Sequence, residues 1–248
     1  MLRQELIAYI DTLLNTFQFK DYAPNGLQVE GNVEVNKILC AVTASRAAIE
    51  KAIEIQADTL LVHHGMFWKN EPPCIVGWKK QRIFKLLHNN INLLAYHLPL
   101  DAQPEIGNNA QLAQKLGFSV ETFCEEQGLL AICFSEKNQT LENLCQTIAK
   151  ELNRTPLVIG NPNKIIQKLA ICTGGGQGFF QAACNAGTDA FITGEASEAQ
   201  FHLARETETA FIAAGHHATE RYGIQALAQK ISQTFAVECV FFDEDNPI

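Results

Sequence analysis

Five of the seven histidines of this chain fall in three short stretches, each at the end of an apolar run. Asp58 to Val62 is too short for a typical helix and closes on His63-His64-Gly65. His97-Leu98-Pro99-Leu100-Asp101 follows a second run, and Gly215-His216-His217-Ala218-Thr219-Glu220 follows a third. In open α/β sheets ligands collect outside the carboxyl ends of the strands, which is where these side chains are expected. Adjacent residues leaving a strand point in different directions, so His63 and His64 suit two different ions better than chelation of one. If a helix begins near His216 and continues through Arg221 to Ile231, His216 and Glu220 stand four residues apart on one face, a chelating spacing.

Taken singly, each group has a plainer reading. A histidine at a strand end is commonly a hydrogen-bonded structural residue, and an exposed carboxylate is commonly solvated. The joint pattern weighs more: three strand ends carry histidine and two of them repeat His-x-x-x-carboxylate. His88 and His202 are left over as surface helix residues. Nitrogen and carboxylate donors suit Zn, Fe, Mn or Ni and disfavour Ca or Mg. A two-metal site that leaves positions for water is of the catalytic kind, and hydrolysis is the chemistry it implies.

Thr173-Gly174-Gly175-Gly176-Gln177-Gly178 joins a strand to a helix but lacks the Lys-Ser/Thr of a phosphate loop and the spacing of a dinucleotide fingerprint. Its backbone amides could approach an anion, or its glycines could serve a turn that needs positive φ. Both readings stand.

The elements that must position these residues alternate between strand and helix, the signature of α/β architecture. Strands are expected over 37–42, 58–62, 91–96, 129–134, 168–172, 189–193, 210–213 and 237–242. Ser45, Thr140 and Ser197 are expected helix N-caps, and Gly117 and Gly187 sit where helix C-caps belong. Near the start, Leu6, Ile7, Ile10, Leu13, Leu14 and Phe17 recur at helical spacing around Arg3, Glu5 and Asp11, which predicts an amphipathic helix and not a signal peptide.

The two halves also resemble each other. Lys37-Ile38-Leu39-Cys40 aligns with Lys168-Leu169-Ala170-Ile171, and the same offset aligns 57–62 with 188–193. At a shorter offset His97 and Asp101 align with His216 and Glu220. An internal duplication accounts for this. The expected division is therefore 1–117 plus 190–248 as related metal-binding lobes, with 118–189 as a second, bridging α/β domain.

The chain has 248 residues, 47% hydrophobic and 19% charged, an ordinary globular composition. No segment approaches the roughly 20 apolar residues that cross a bilayer. Eight cysteines contain no C-x-x-C pair and read as reduced, buried thiols of a cytoplasmic protein. A net charge of −8 argues against nucleic acid as a partner. Lys79, Lys80, Arg82 and Lys85 are expected on the solvated face of a helix.

Several motifs together resemble the YbgI family, the GTP cyclohydrolase type 2 homologues, which are NGG-interacting-factor-like dinuclear metal proteins. They are Asp21-Tyr22-Ala23-Pro24-Asn25-Gly26-Leu27-Gln28-Val29-Glu30-Gly31, Val62 to Gly65, His97 to Ala102, Cys172 to Gln177, Phe191-Ile192-Thr193-Gly194-Glu195 and Ala214 to Arg221. The resemblance implies a two-lobed α/β subunit with mixed sheets in a toroidal homohexamer. It implies two divalent metal ions per subunit on His63, His64, Asp101, His216 and Glu220; His97 and Glu195, at related positions in the repeat, are candidates to orient the ligating histidines, to contact substrate or to act in catalysis. The function expected from it is hydrolysis of a nucleotide or related small molecule. The alternative is a metallochaperone or regulatory metal-binding adaptor without turnover.

Overall fold

A computed structural model describes residues 1–248. In chain order the elements are α1 (Arg3–Leu14), β1 (Gly26–Val29), β2 (Lys37–Thr43), α2 (Arg46–Glu54), β3 (Thr59–His64), α3 (Gly77–His88), β4 (Asn92–Ala95), α4 (Leu98–Ala102), α5 (Asn108–Lys115), β5 (Ser119–Cys124) and β6 (Leu130–Thr140). Then follow α6 (Leu141–Leu152), β7 (Leu157–Ile159), β8 (Ile165–Ile171), α7 (Phe180–Asn185), β9 (Ala190–Thr193), α8 (Glu198–Thr207), β10 (Ala210–Ala213), α9 (His216–Thr219), α10 (Arg221–Phe235) and β11 (Glu238–Phe241). No helix is long and apolar enough to cross a membrane.

The chain divides into two compact units, Met1–Leu100 with Ile224–Asp245, and Asp101–Gly223 with Asn246–Ile248. This differs from the expected division at 118 and 189. The reason is hydrogen bonding: β5 and β6 share one sheet with β8, β9 and β10, so 118–189 does not separate from the strands that follow it.

The first unit holds a five-stranded sheet, order β1-β4-β3-β2-β11, parallel except at the antiparallel edge strand β1. One of its faces packs around Leu39, Ile49, Leu60, Val62, Leu86 and Leu93. α1 buries Leu6, Ile10 and Leu14 as its spacing predicts. Asn15, with φ +50°, ends that helix, so Phe17 falls outside it and stands 79% exposed.

The second unit holds a six-stranded sheet, order β5-β6-β8-β9-β10-β7. β8, β9 and β10 run parallel, and β6 and β7 flank them antiparallel. Its core lies on both faces, with Leu144, Ile148, Leu169, Ile192 and Ile212 on one side and the Phe180, Phe191 and Phe211 cluster on the other. Strands buried on both faces read as continuous apolar runs, which is why β9 and β10 are visible in the sequence.

The duplication is carried in the hydrogen bonding. Ile38 pairs with Thr59 and Leu169 with Ala190, the same register at the same offset. Asp58 Oδ2 accepts from the backbone N–H groups of Asn36 and Lys37 at 2.7 and 3.0 Å. Asp189 Oδ2 repeats this with Gln167 and Lys168 at 3.0 and 2.9 Å. The repeat also reaches back into the expected bridging segment, because α6 and β7 occupy the places that α1 and β1 hold in the first unit.

Ser45 and Thr140 cap α2 and α6, accepting from Ala48 and Asn143. Gly117 and Gly187 take φ of +78° and +66° as their cap positions require. The basic residues of α3 do not form one solvated face. Lys79 is buried over the Phe67 ring beside Glu71, and Arg82 stacks on Trp78 while donating to the Ala44 carbonyl.

Candidate metal centre

The first unit brings three imidazoles together at the carboxyl ends of β3 and β4. His63, His64 and His97 each offer a ligand nitrogen, and these atoms lie within 4.8 Å of one another. Their ring centroids are 4.5 to 5.6 Å apart. His63 is fully buried, with Nδ1 3.0 Å from the Tyr96 carbonyl. A carbonyl can only accept, so Nδ1 carries the proton and Nε2 is the lone-pair nitrogen. His64 Nδ1 lies 3.3 Å from Thr43 Oγ1, and His97 Nδ1 lies 2.7 Å from Asp21 Oδ1. Asp21 also accepts from Leu98 N–H and from the Asn25 amide. Burial alone would raise its carboxyl, but the hydrogen bond and charge of His97, with these other donors, hold it down at about 2. Trp68 stands edge-on to His97, centroids 5.0 Å apart, and walls the cluster.

The second unit supplies carboxylates around a single imidazole. His216 Nδ1 meets Glu195 Oε1 at 2.6 Å and its Nε2 meets Glu220 Oε2 at 3.3 Å. Burial would lower the His216 pKa, but the Glu220 and Glu195 carboxylates outweigh it and raise it to about 9. Glu220 is 3% exposed and Asp101 7%. Their oxygens lie within 4.8 Å of each other. Asp101 Oδ1 is held by the Asn108 amide at 2.8 Å and by Thr173 Oγ1 at 3.4 Å. Burial, together with Asp101 and Glu220, pushes the nearby Cys172 thiol far up.

The expected continuous helix from His216 to Ile231 is broken. α9 stops at Thr219, Glu220 takes φ −105° and ψ 7°, and α10 restarts at Arg221. The break turns the carboxylate while keeping it against its i−4 imidazole. The glycine loop serves the same residues. A Cβ at Gly174, where φ is +62°, would overlap Glu220 Oε1 and come within 3.1 Å of His216 Nε2. Its N–H is taken by Thr219 Oγ1 and that of Thr173 by Asn109, so these two amides are committed within the protein.

Of the residues expected from the sequence, His63, His64 and His97 stand together in the first unit, and Asp101, Glu195, His216 and Glu220 stand together in the second. His88 and His202 lie exposed on α3 and α8. Sequence pattern does not single out Asp21, Thr43, Trp68 or Asn108, although Asp21 opens one of the resemblance motifs. The donors fit divalent transition ions: imidazole nitrogens and carboxylate oxygens, with Gly174 cleared of side chain beside two of them.

Fold and donors define a two-unit α/β protein whose strand ends carry clusters that could hold metal ions. The family model for DUF34/NIF3 (NGG1p interacting factor 3) matches residues 1–247, and the chain belongs to that family. It is 56% identical over 247 residues to a GTP cyclohydrolase 1 type 2 homolog of Neisseria meningitidis, covering 100% of this chain and 99% of the relative. It is 50% identical to the protein of the same name in Vibrio cholerae, covering 98% of each. Among solved structures, the ybgI protein, described as of unknown function, superposes with a TM-score of 0.96 at 47% identity over 100% of both chains. TTHA1606 from Thermus thermophilus superposes with a TM-score of 0.91 at 36% identity, also over 100% of both.

Proposed function

We propose that this protein is a cytoplasmic metal-dependent hydrolase of a nucleotide or related small molecule. In this reading two divalent ions sit on His63, His64, Asp101, His216 and Glu220. The supporting observation is His216: one ring nitrogen is fixed by Glu195 while the other faces Glu220. A carboxylate on the far nitrogen is how ligating imidazoles are oriented and made more basic. What divalent ions supply in such a site is Lewis acidity toward water and a substrate oxygen.

The remaining roles belong to the chain. Asp21 and Glu195 hold the rings of His97 and His216, and Asn108 aims Asp101. His97 and Glu195 are the groups assigned to accept or return a proton during turnover. A homohexamer accompanies this reading. Val76, Trp78, Phe84 and Leu87, on and just before α3, are 54 to 67% exposed, more large apolar surface than one helix ordinarily leaves in water. Light scattering should then give six chain masses.

The test is elemental analysis of protein purified without added metal, followed by assay of the metal-loaded protein over nucleotides and phosphoesters. Turnover that is lost in His97→Ala with metal retained supports the hydrolase. Metal that passes to an apo-acceptor without turnover supports the carrier reading. Absence of bound metal under both preparations overturns both.

A further inference from the structure

Beside Glu195 the second unit contains a cavity of about 470 Å³, lined by Arg154, Pro156, Leu157, Gly194, Glu195 and Ile248 among others. That volume is in the range of small-molecule sites. Its lining is apolar on one side, with Leu157 and Ile248 largely exposed, and carries a single cationic side chain. Arg154 is held in an unusual way. Its Cδ and Nε lie where a Cβ at Gly215 would be 2.8 Å away, so the guanidinium end packs on bare backbone next to His216. Nη1 donates to the Pro247 carbonyl, while Nε is buried without a protein hydrogen-bond partner. With Nε sealed against the Gly215 backbone and Nη1 committed, a ligand in the cavity would meet the outer edge of the guanidinium.

Comparison of the two repeats sharpens the point. Between α1 and β1 the first unit places Asp21, which binds the imidazole that follows β4. Between α6 and β7 the second unit places Arg154, and it packs against the one residue, Gly215, by which the β10 to His216 connection exceeds the β4 to His97 connection. The same place in the repeat that gives an acid to a histidine thus gives a guanidinium to a cavity.

We infer that Arg154 and this cavity form an oxyanion-binding subsite, taking the phosphate or carboxylate of a small molecule whose other end reaches Glu195 and His216. The subsite deepens the hydrolase reading, since it names the substrate class as anionic. A guanidinium presents planar, forked donors that match either oxyanion, and its charge persists at any working pH. The glycine at 215 is what lets it approach, because any side chain there would drive Arg154 off the backbone.

The test is titration of the full chain with phenyl phosphate, benzoate and benzyl alcohol, in wild-type and Glu220→Gln backgrounds, followed by calorimetry and by the Arg Nε–H resonance. The expected result is binding of one or both anions, none of the alcohol, and a loss of about 10- to 100-fold in Arg154→Leu in both backgrounds. Arg154→Lys should recover part of it. Leu157→Asp, which leaves the contacts of Arg154 intact and sets a negative charge at the cavity lining, should weaken anion binding in the same direction if Arg154→Leu does not fold. Anion binding unchanged in Arg154→Leu and Leu157→Asp, or equal binding of the alcohol, would overturn the inference. If the protein carries no metal yet binds anions through Arg154, the metal reading fails and the subsite stands.

Discussion

In the first unit, β3 runs Thr59 to His64 and ends in two imidazoles, whereas β9, in the matching register, continues as Thr193-Gly194-Glu195 and ends in one carboxylate. The backbone core around them is shared: β2, β3 and β4 with the antiparallel edge strand β1 in one unit, β8, β9 and β10 with the antiparallel edge strand β7 in the other, and in each an aspartate tying together the start of the first two of these parallel strands. What differs is how closely the neighbouring loop approaches. A Cβ at Gly194 would sit 2.5 Å from His216 Cα and 2.6 Å from the Gly174 carbonyl, so the place that His63 fills in the first unit must be glycine in the second. Duplication preserves hydrogen-bond register because a slip would turn every apolar side chain outward, while strand-end residues are free to diverge in chemistry.

That comparison can be broken most sharply at its glycines. Gly194→Ala should destabilise the protein by about 3 kcal/mol or more, because backbone stands in the way. Gly65→Ala should cost only about 1 kcal/mol, since the obstruction is the end of the Gln28 side chain, whose Oε1 accepts from Met66 N–H. Urea unfolding of the two variants compares them directly, and equal costs would refute the difference in crowding.

The carboxylates behind the imidazoles come next. Glu195→Gln should reduce metal affinity by about 10- to 100-fold with the fold retained, the usual effect of losing an orienting partner. Asp21→Asn should do less, because His97 is outside the proposed ligand set. Competition with a chromogenic chelator measures both, and a larger effect at Asp21 would move His97 into that set.

The two pairs also oppose each other in pH. Asp21 titrates at about 2 in the folded protein against an ordinary 3.8, so its contribution to stability is complete above pH 3.8 and is lost as pH falls toward 2. His216 titrates at about 9 against 6.5 in the metal-free protein, so its contribution is complete below pH 6.5 and is lost as pH rises through 9. Denaturation midpoints against pH should therefore lose part of their acid-side slope in Asp21→Asn and part of their alkaline-side slope in Glu195→Gln. The smallest effect is the most symmetrical: Asp58→Asn and Asp189→Asn should each cost about 1 to 2 kcal/mol, and unequal costs would show that the shared register is not equally supported.

Much of this was legible beforehand. The strands buried on both faces, the caps at Ser45 and Thr140, and the histidines at the strand ends follow from local pattern, since burial on both faces writes continuous apolar runs and caps need particular side chains. The short strands β1, β5 and β7 escape such a reading because four residues of mixed burial, an acid-bearing edge and a three-residue run carry no period to read. The break at Glu220 was also hidden, because nothing in His216 to Arg221 interrupts a helical pattern.

The amino-acid sequence by itself determined which residue types stand at the ends of the parallel strands and that the strand pattern occurs twice, because both are properties of neighbours along the chain. Only the tertiary structure decided which carboxylate stands behind which imidazole, that Gly174 and Gly194 clear room for Glu220 and His216, and that Arg154 lies against Gly215. Those relations join residues far apart in sequence, and close packing alone selects them.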